Sequence, residues 1–264
     1  EPLASSEAVL DQEEKEAGVM LVDIGGGTTD IAIFKDGIIR HTAVIPMGGK
    51  IITDDIKDGC EIVEKQAETL KVKFGSAWPG ENNENEVVSI PGLRGRPNKE
   101  ISVRSLSHII NARMVEIMEL VRGEMHHYLQ NDPRKKLISG IVLTGGGAEL
   151  KHIRQLVAYT TGLHTKVGVP NEHLASNYPK ELTSPIYATS IGLLKLALEN
   201  MTEPMAYDPN EVVEEPEEEQ VPNETPIDRN DEQEEAAPIE EAKRKKVYTF
   251  FDAILKSLYS DDLE

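Results

Sequence analysis

The amino-acid sequence predicts an α/β fold in which a mixed β-sheet is flanked by helices. Short apolar runs typical of buried strands alternate with longer stretches in which apolar residues recur at helical spacing. Two of the strand-like runs, residues 19–23 and 140–144, lead directly into triplets of glycine. Of the 264 residues, 39% are hydrophobic but only 5% are aromatic, so the core is expected to consist mainly of aliphatic side chains.

Three strands are predicted near the start of the chain, over residues 19–23, 29–34 and 38–45. Asp36-Gly37 separates the last two and is a typical hairpin turn. We therefore expect the three strands to be neighbours in one sheet and to run antiparallel.

Helical spacing follows Gly48-Gly49, where Ile62, Ala67, Leu70 and Phe74 lie on one face and Gly75 is the expected C-terminal cap. Short strands are predicted at residues 87–90 and 101–103, on either side of a basic loop. Ser105 is then predicted to cap a long helix that ends near residue 131.

The remaining elements alternate again. A strand over residues 140–144 is followed by a predicted helix over residues 149–161, which ends at Gly162. A further strand is predicted at residues 165–169. Ser184-Pro185 is expected to open a last helix, because proline is well tolerated in the first turn.

The charge balance excludes several classes of protein. The chain has 28 Lys and Arg against 47 Asp and Glu, a net charge of -19, whereas a nucleic-acid-binding protein needs a basic surface. Its one cysteine, Cys60, excludes a disulfide framework and a cysteine-based zinc site, and is compatible with a reducing cytosol. We find no apolar run near the roughly 20 residues of a transmembrane helix.

The negative charge is concentrated near the C-terminus, where residues 211–241 contain fourteen acidic residues and one basic residue. Residues 206–242 are therefore predicted to be a disordered acidic linker. Residues 243–264 are predicted to form a basic amphipathic helix that binds membranes. The alternative is a helix that docks in a protein groove. The residues expected to contact the membrane are Lys245, Lys246, Val247, Phe250, Phe251, Ile254, Leu255 and Leu258.

The two glycine triplets are candidate phosphate-binding turns. Glycine lets backbone N–H groups approach a phosphate closely, because no Cβ blocks the way. Asp23 precedes the first triplet and is placed to hold Mg²⁺ through water. The alternative is a pair of ordinary tight turns, since neither triplet matches a complete dinucleotide or Walker fingerprint. The candidate residues are Gly25, Gly26, Gly27, Thr28, Thr29, Gly145, Gly146 and Gly147.

A basic loop stands out in the otherwise acidic body of the chain. Arg94, Arg96 and Lys99 lie in this loop, and Arg104 follows it. Arginine recognises carboxylates through paired hydrogen bonds, so these residues are a candidate docking surface for an acidic peptide. The alternative is a solvated loop.

The residues around the triplets resemble motifs of the superfamily that contains actin, sugar kinases and heat-shock-chaperone ATPases. Residues 23–30 resemble its phosphate-2 motif and residues 144–148 its adenosine motif. Glu68 and Lys71 resemble the Glu-x-x-Lys pair on the helix that lines the nucleoside. Within the superfamily, residues 1–203 are similar to the FtsA family of bacterial cell-division proteins.

This resemblance implies half of an actin-like, ribonuclease-H-like ATPase. Residues 1–47 and 139–205 would form subdomain IIA, and residues 48–138 an inserted α+β subdomain IIB. The other half of the site would lie in a preceding part of a longer protein, so we expect this chain alone to bind nucleotide poorly. Any hydrolysis of ATP would be slow.

The resemblance also implies ligands and partners. The chain would bind ATP and Mg²⁺, polymerise into actin-like filaments, capture the C-terminal tail of FtsZ through subdomain IIB and interact with other division proteins. The terminal helix would hold the assembly on the anionic, cytoplasmic face of the cell membrane at the division septum. The alternatives are another actin-like scaffold, for pilus assembly or plasmid segregation, and an ATP-dependent enzyme of the sugar-kinase type.

Overall fold

A computed structural model describes residues 2–82, 85–92, 97–130, 135–170 and 179–202. Its first elements build three strands of one sheet. Two short helices precede these strands and were not predicted from the sequence. These elements are α1 (Pro2–Val9), α2 (Gln12–Ala17), β1 (Val19–Ile24), β2 (Thr29–Lys35) and β3 (Ile38–Ile45).

The predicted hairpin is confirmed. β2 pairs antiparallel with both β1 and β3, and the turn places Asp36 at φ 56° and Gly37 at φ 75°. Positive φ at both central residues defines the type I′ turn, whose twist matches that of the flanking strands. This conformation explains why Asp-Gly occupies the turn.

The middle of the chain contains two helices after β3, a separate two-stranded sheet and a long helix. The elements are α3 (Gly49–Gly59), α4 (Glu64–Phe74), β4 (Val87–Ile90), β5 (Lys99–Ser102) and α5 (Val103–Leu129). Ile62 precedes α4, so its predicted place on that helix was wrong. Ser102 caps α5 in place of Ser105, because β5 continues to Ser102 and leads directly into the helix.

The final described elements complete the five-stranded sheet. They are β6 (Gly140–Thr144), α6 (Ile153–Thr161), β7 (Thr165–Val167) and α7 (Ala188–Thr202). α6 begins later than predicted, because a 3-10 turn at Gly146–Glu149 follows the second triplet. Gly162 ends α6 with φ 73°, as expected for a left-handed cap.

The sheet has the order β3-β2-β1-β6-β7, with antiparallel pairs on one side of β1 and parallel pairs on the other. It is therefore the mixed sheet predicted from the sequence.

The subdomain boundaries at residues 47, 48, 138, 139 and 205 stay a prediction. The predicted linker, residues 206–242, and the predicted terminal helix, residues 243–264, lie outside the described residues.

The core lies on both faces of the sheet. Met20, Val22 and Ile24 alternate along β1 with Val19 and Leu21, and the two sets belong to different clusters of buried side chains. One set packs with the buried face of α5, and the other packs with residues beside α1. Burial on both faces explains why β1 reads as a continuous apolar run. None of the described helices is long and apolar enough to cross a bilayer.

Candidate functional site

Parallel pairing of β1 with β6 brings the two glycine triplets to the same edge of the sheet. Asp23 is the register partner of Thr144, and each triplet follows one of these strands. Residues about 120 positions apart in the sequence therefore leave the sheet side by side. This edge is where α/β proteins commonly bind ligands.

The first triplet is a tight turn held by the start of α3. The Gly25 amide donates to the Thr28 carbonyl at 2.9 Å, and the Gly49 amide donates to the Gly25 carbonyl at 2.9 Å. A Cβ on Gly48 would lie 2.6 Å from that same Gly25 oxygen. The close approach of the two backbones therefore requires glycine at position 48.

The second triplet makes a similarly close contact with Asp23. Gly145 has φ 78°, and a Cβ there would lie 2.3 Å from Asp23 Oδ1. The Gly145 amide donates to the Pro185 carbonyl at 3.1 Å. Both the backbone conformation and the space at this position exclude a side chain.

Glu68 and Lys71 form an ion pair on α4 that is tied to α3. Lys71 Nζ lies 2.8 Å from Glu68 Oε2, and it also donates to the Gly49 carbonyl and to Thr53 Oγ1, each at 2.8 Å. Thr53 Oγ1 donates to Glu68 Oε2 at 2.5 Å. Burial raises the pKa of the Glu68 carboxyl, but the hydrogen bonds from Lys71 and Thr53 more than offset this, so its pKa lies below the ordinary value.

A cleft of about 320 Å³ joins these features. Its walls come from α4, from both glycine triplets and from the turn before α7. The lining contains Gly49 of α3, both predicted residues of α4 and two members of each triplet: Glu68, Lys71, Gly25, Gly26, Gly146 and Gly147.

The other predicted residues lie beside the cleft. Asp23 is only 6% exposed, and its Oδ2 accepts a hydrogen bond from Thr189 Oγ1 at 3.2 Å. Thr28 Oγ1 donates to Asp30 Oδ2 at 2.8 Å. Thr29 is buried and donates to the Met47 carbonyl at 2.8 Å, so its hydroxyl is engaged by the residues that precede α3.

Sequence reasoning missed Thr53, Gly49 and Thr189. Thr53 joins Glu68 to Lys71, the Gly49 carbonyl accepts from Lys71, and Thr189 reaches Asp23 from α7. The one available signal was the segment 46–49, which is part of the FtsA resemblance and supplies Gly49. Thr53 and Thr189 carry no local pattern that separates them from other helical threonines.

The surroundings of Asp23 are compatible with a Mg²⁺ ion. Magnesium in proteins is usually held by one or two carboxylates, several waters and substrate phosphates. Asp23 supplies one buried carboxylate next to both triplets. Over the described ranges, no group of three or more His, Cys, Asp or Glu side chains is placed to hold a metal ion. The site therefore fits an ion that also depends on water and a bound phosphate.

The predicted basic surface is described only in part. Lys99 is the first residue of β5, and its Nζ lies 3.3 Å from Glu61 Oε2. Arg104 is exposed in the first turn of α5. Arg94 and Arg96 lie outside the described residues, as do all of the predicted membrane-contacting residues.

Solved structures show which fold the chain has. MreB5 of Spiroplasma citri bound to ADP matches with a TM-score of 0.59 and 23% identity, covering 76% of this chain and 60% of that one. A chain of a PilM-PilN type IV pilus biogenesis complex is also similar in fold, with a TM-score of 0.56 and 20% identity, covering 75% of this chain and 51% of that one. The chain has an actin-like ATPase fold.

Sequence similarity then defines the family. The family model described as cell division protein FtsA matches residues 20–192. FtsA of Neisseria meningitidis serogroup B is 38% identical over 197 residues, which is 75% of this chain and 47% of that protein. FtsA of Escherichia coli K12 is 36% identical over 203 residues, again 75% of this chain and 48% of that protein. The chain belongs to the FtsA family of cell division proteins, and it spans about half the length of these curated relatives.

Proposed function

We propose that this chain supplies one side of an adenine-nucleotide site in a cell-division protein that links FtsZ to the membrane. The observation that carries the proposal is the convergence of both glycine triplets and the Glu68–Lys71 pair on one cleft. Membership of the FtsA family supports the role in division. The MreB5 structure bound to ADP supports the choice of nucleotide for this fold.

The resemblance to the FtsA family, together with the positions of the residues at the cleft, supports the following proposed roles. Glu68 and Lys71 would face the nucleoside, the backbone amides of residues 25–29 would hold phosphates, and residues 145–147 would contact the phosphate nearest the adenosine. Asp23 would orient Mg²⁺ through water. The bound ATP would bring negatively charged phosphates, which the backbone amides and Mg²⁺ would stabilise. It would act mainly as a structural ligand.

The exposed glycines fit this role. Among the described residues, a Cβ on Gly26 would have no heavy atom within 4 Å, and one on Gly146 would meet only Ile186 at 3.8 Å. Crowding by the described residues therefore does not explain why these two positions are glycine. An open backbone at the wall of a cleft leaves its amides accessible to a ligand phosphate.

Nuclear magnetic resonance titration with Mg-ATP tests the nucleotide site, because it detects weak binding. We expect saturable shifts of the amide signals of Gly25, Gly26, Gly146 and Gly147. Lys71→Met should weaken binding by about tenfold, since hydrogen bonds to charged groups contribute about 1.5–3 kcal/mol. Lys73→Met is the matched control, because Lys73 is exposed on the same helix and does not line the cleft. Equal affinities of the two variants would contradict the assignment.

Assembly is the second part of the proposal. The chain would polymerise into filaments, and the MamK filament is an example of a protein of similar fold that assembles as a double helix. Arg94, Arg96, Lys99 and Arg104 would bind the acidic tail of FtsZ. The existing contact of Lys99 with the Glu61 carboxylate supports recognition of acidic side chains at this position.

The FtsZ assignment is tested by fluorescence anisotropy with a labelled FtsZ tail peptide. Arg96→Ala and Arg104→Ala should each weaken binding. Arg122→Ala should leave it unchanged, because Arg122 is an exposed arginine paired with Glu119 on the same helix as Arg104. Wild-type affinity in the first two variants would remove the basic loop from the proposed interface.

Membrane attachment is the third part and depends on the sequence of residues 243–264. Liposome co-sedimentation with neutral and anionic lipid tests it. Phe250→Glu/Phe251→Glu should abolish binding to anionic liposomes. Thr249→Glu/Ser257→Glu adds the same two charges to the polar face and should retain most of the binding. Loss of binding in both double variants would point to charge alone and would contradict insertion of the apolar face.

A further inference from the structure

A second cavity, of about 570 Å³, lies far from the cleft described above. Its lining comes from the turn between β2 and β3 and from the C-terminal end of α5. β2 begins beside the first glycine triplet and ends at Lys35. A strand of its length spans roughly 20 Å, so the two cavities lie at opposite ends of β2. A ligand of one cavity would not contact the other.

The cavity is basic in a strongly acidic chain. Among the described residues, Lys35, Arg40 and Lys135 line it together with two histidines, His41 and His127, against one carboxylate, Asp36. The whole chain has a net charge of -19, so a surplus of positive charge at one concave site is opposite to the overall field. The fold brings these cations together from segments about 90 residues apart.

Carboxylates within the cavity compensate only part of this charge. Arg40 Nη2 lies 2.8 Å from Asp36 Oδ2, and these side chains are 39% and 64% exposed. Arg40 Nε also donates to the Lys35 carbonyl at 3.1 Å. Exposed ion pairs such as Arg40–Asp36 contribute little to stability, so the Nη2 group of Arg40 can exchange Asp36 for a ligand at small cost.

The two lysines are positioned by neutral groups. Lys35 Nζ donates to the Ala17 carbonyl at 3.0 Å. Lys135 Nζ donates to the Tyr128 carbonyl at 3.1 Å and lies 5.2 Å from the centroid of the Tyr128 ring. A carbonyl orients an ammonium group without cancelling its charge. Besides these contacts with described residues, each ammonium group has two further N–H donors.

Two histidines line the same wall. The His41 and His127 ring centroids are 5.9 Å apart, and His41 Nε2 lies 2.9 Å from Glu124 Oε2. This contact with Glu124 fixes the orientation of His41.

We propose that this cavity binds a phosphate dianion, either free phosphate or a phosphate monoester. Several cationic donors that converge from two segments match a compact tetrahedral group with many acceptor oxygens, and the planar guanidinium of Arg40 can donate two parallel hydrogen bonds to it. A ligand with a single carboxylate group would offer fewer hydrogen-bond acceptors than the cavity has donors. This site is separate from the proposed nucleotide cleft and does not depend on it.

Titration of the isotope-labelled chain with inorganic phosphate, at constant ionic strength, tests the proposal. We expect saturable shifts of amide signals in residues 35–41 and 126–130. Arg40→Gln and Lys135→Gln should each weaken binding by about tenfold or more, the effect of losing a hydrogen bond between charged groups. Arg122→Gln is the matched control, since Arg122 is 44% exposed and paired with Glu119 three residues away, and it should bind like the wild type.

A second arm with glycerol 3-phosphate separates the two sources of the ligand. Tighter binding of glycerol 3-phosphate would identify a monoester, and tighter binding of inorganic phosphate would identify the free ion; both results support the site. Shifts confined to residues 25–28, shifts that do not saturate, or equal affinities of Arg40→Gln and Arg122→Gln would each overturn it. The dispersion of the spectra shows directly whether each variant is folded.

Discussion

Replacing Gly145 by alanine tests the close contact between the second glycine triplet and Asp23. Gly145 has φ 78°, and a Cβ there would lie 2.3 Å from Asp23 Oδ1 and 2.7 Å from the Ile24 carbonyl oxygen. Gly145 combines this φ with ψ 176°, a backbone conformation that is essentially restricted to glycine and costs another residue about 1–3 kcal/mol. An extra methyl group in a packed site costs about 1–3 kcal/mol. We expect Gly145→Ala to lower the free energy of unfolding by the sum of these, about 2–6 kcal/mol.

Gly162→Ala is a reference for a glycine of positive φ without a close neighbour. Gly162 has φ 73° and ψ 9°, in the left-handed region, and a Cβ there would have no heavy atom of the described residues within 4 Å. This variant therefore carries only the cost of a left-handed backbone, about 1–2 kcal/mol. Both substitutions change the unfolded chain in the same way, so the difference between them reports the additional cost of the Gly145 backbone conformation and of the crowding at Asp23.

Equilibrium urea unfolding, followed by Trp78 fluorescence and by circular dichroism, provides the assay. Coincident transitions from the two probes would justify a two-state analysis. The reasoning is refuted if Gly145→Ala and Gly162→Ala lose the same unfolding free energy, because the backbone conformation of Gly145 and its contact with Asp23 would then have no additional energetic consequence.

Two further predictions concern α1. Burial raises the pKa of Glu7, but Lys15 and Lys195 more than offset this, so its pKa lies below the ordinary value of 4.5. Such a carboxylate stabilises the fold above pH 4.5 and loses this effect as pH falls through its folded pKa. Glu7→Gln should therefore have a lower free energy of unfolding than wild type at pH 7, and urea unfolding should show this difference narrowing below pH 4.5. A difference in unfolding free energy that does not depend on pH would contradict this. A Cβ on Gly192 would lie 1.7 Å from the Ala4 carbonyl oxygen, so Gly192→Ala should lower the melting temperature. Gly123→Ala should raise it, because a Cβ on Gly123 would have no atom of the described residues within 4 Å. A wild-type melting temperature for Gly192→Ala would exclude the close packing of Gly192 against α1.

Much of the sheet was predictable from local pattern. β3 and β6 begin and end at the predicted residues, because apolar runs bounded by glycine or turn residues are strong signals. The turn at Asp36-Gly37 was equally clear, since few residue pairs accept positive φ at both positions. Membership of the actin-like class was also visible, because the triplets and the Glu68–Lys71 spacing are local motifs.

Helix starts were predicted less well, because neighbouring serines and glycines offer equivalent local signals. Ser102 and Ser105 are both good capping residues, and the choice of Ser102 follows from the pairing of β5 with β4. Gly75 does end α4, but with an extended backbone, because the next residue, Ser76, forms a bridge with Lys151. Both outcomes depend on contacts with distant residues.

The sequence by itself determined the strands, the hairpin, the two glycine-rich turns and the strongly uneven charge. Only the tertiary structure decided which of these features meet. Parallel pairing of Asp23 with Thr144 places the triplets together, and the packing of α4 on α3 supplies Thr53 to the Glu68–Lys71 pair. Contacts between residues so far apart in the chain depend on strand register and helix packing, which no local pattern encodes.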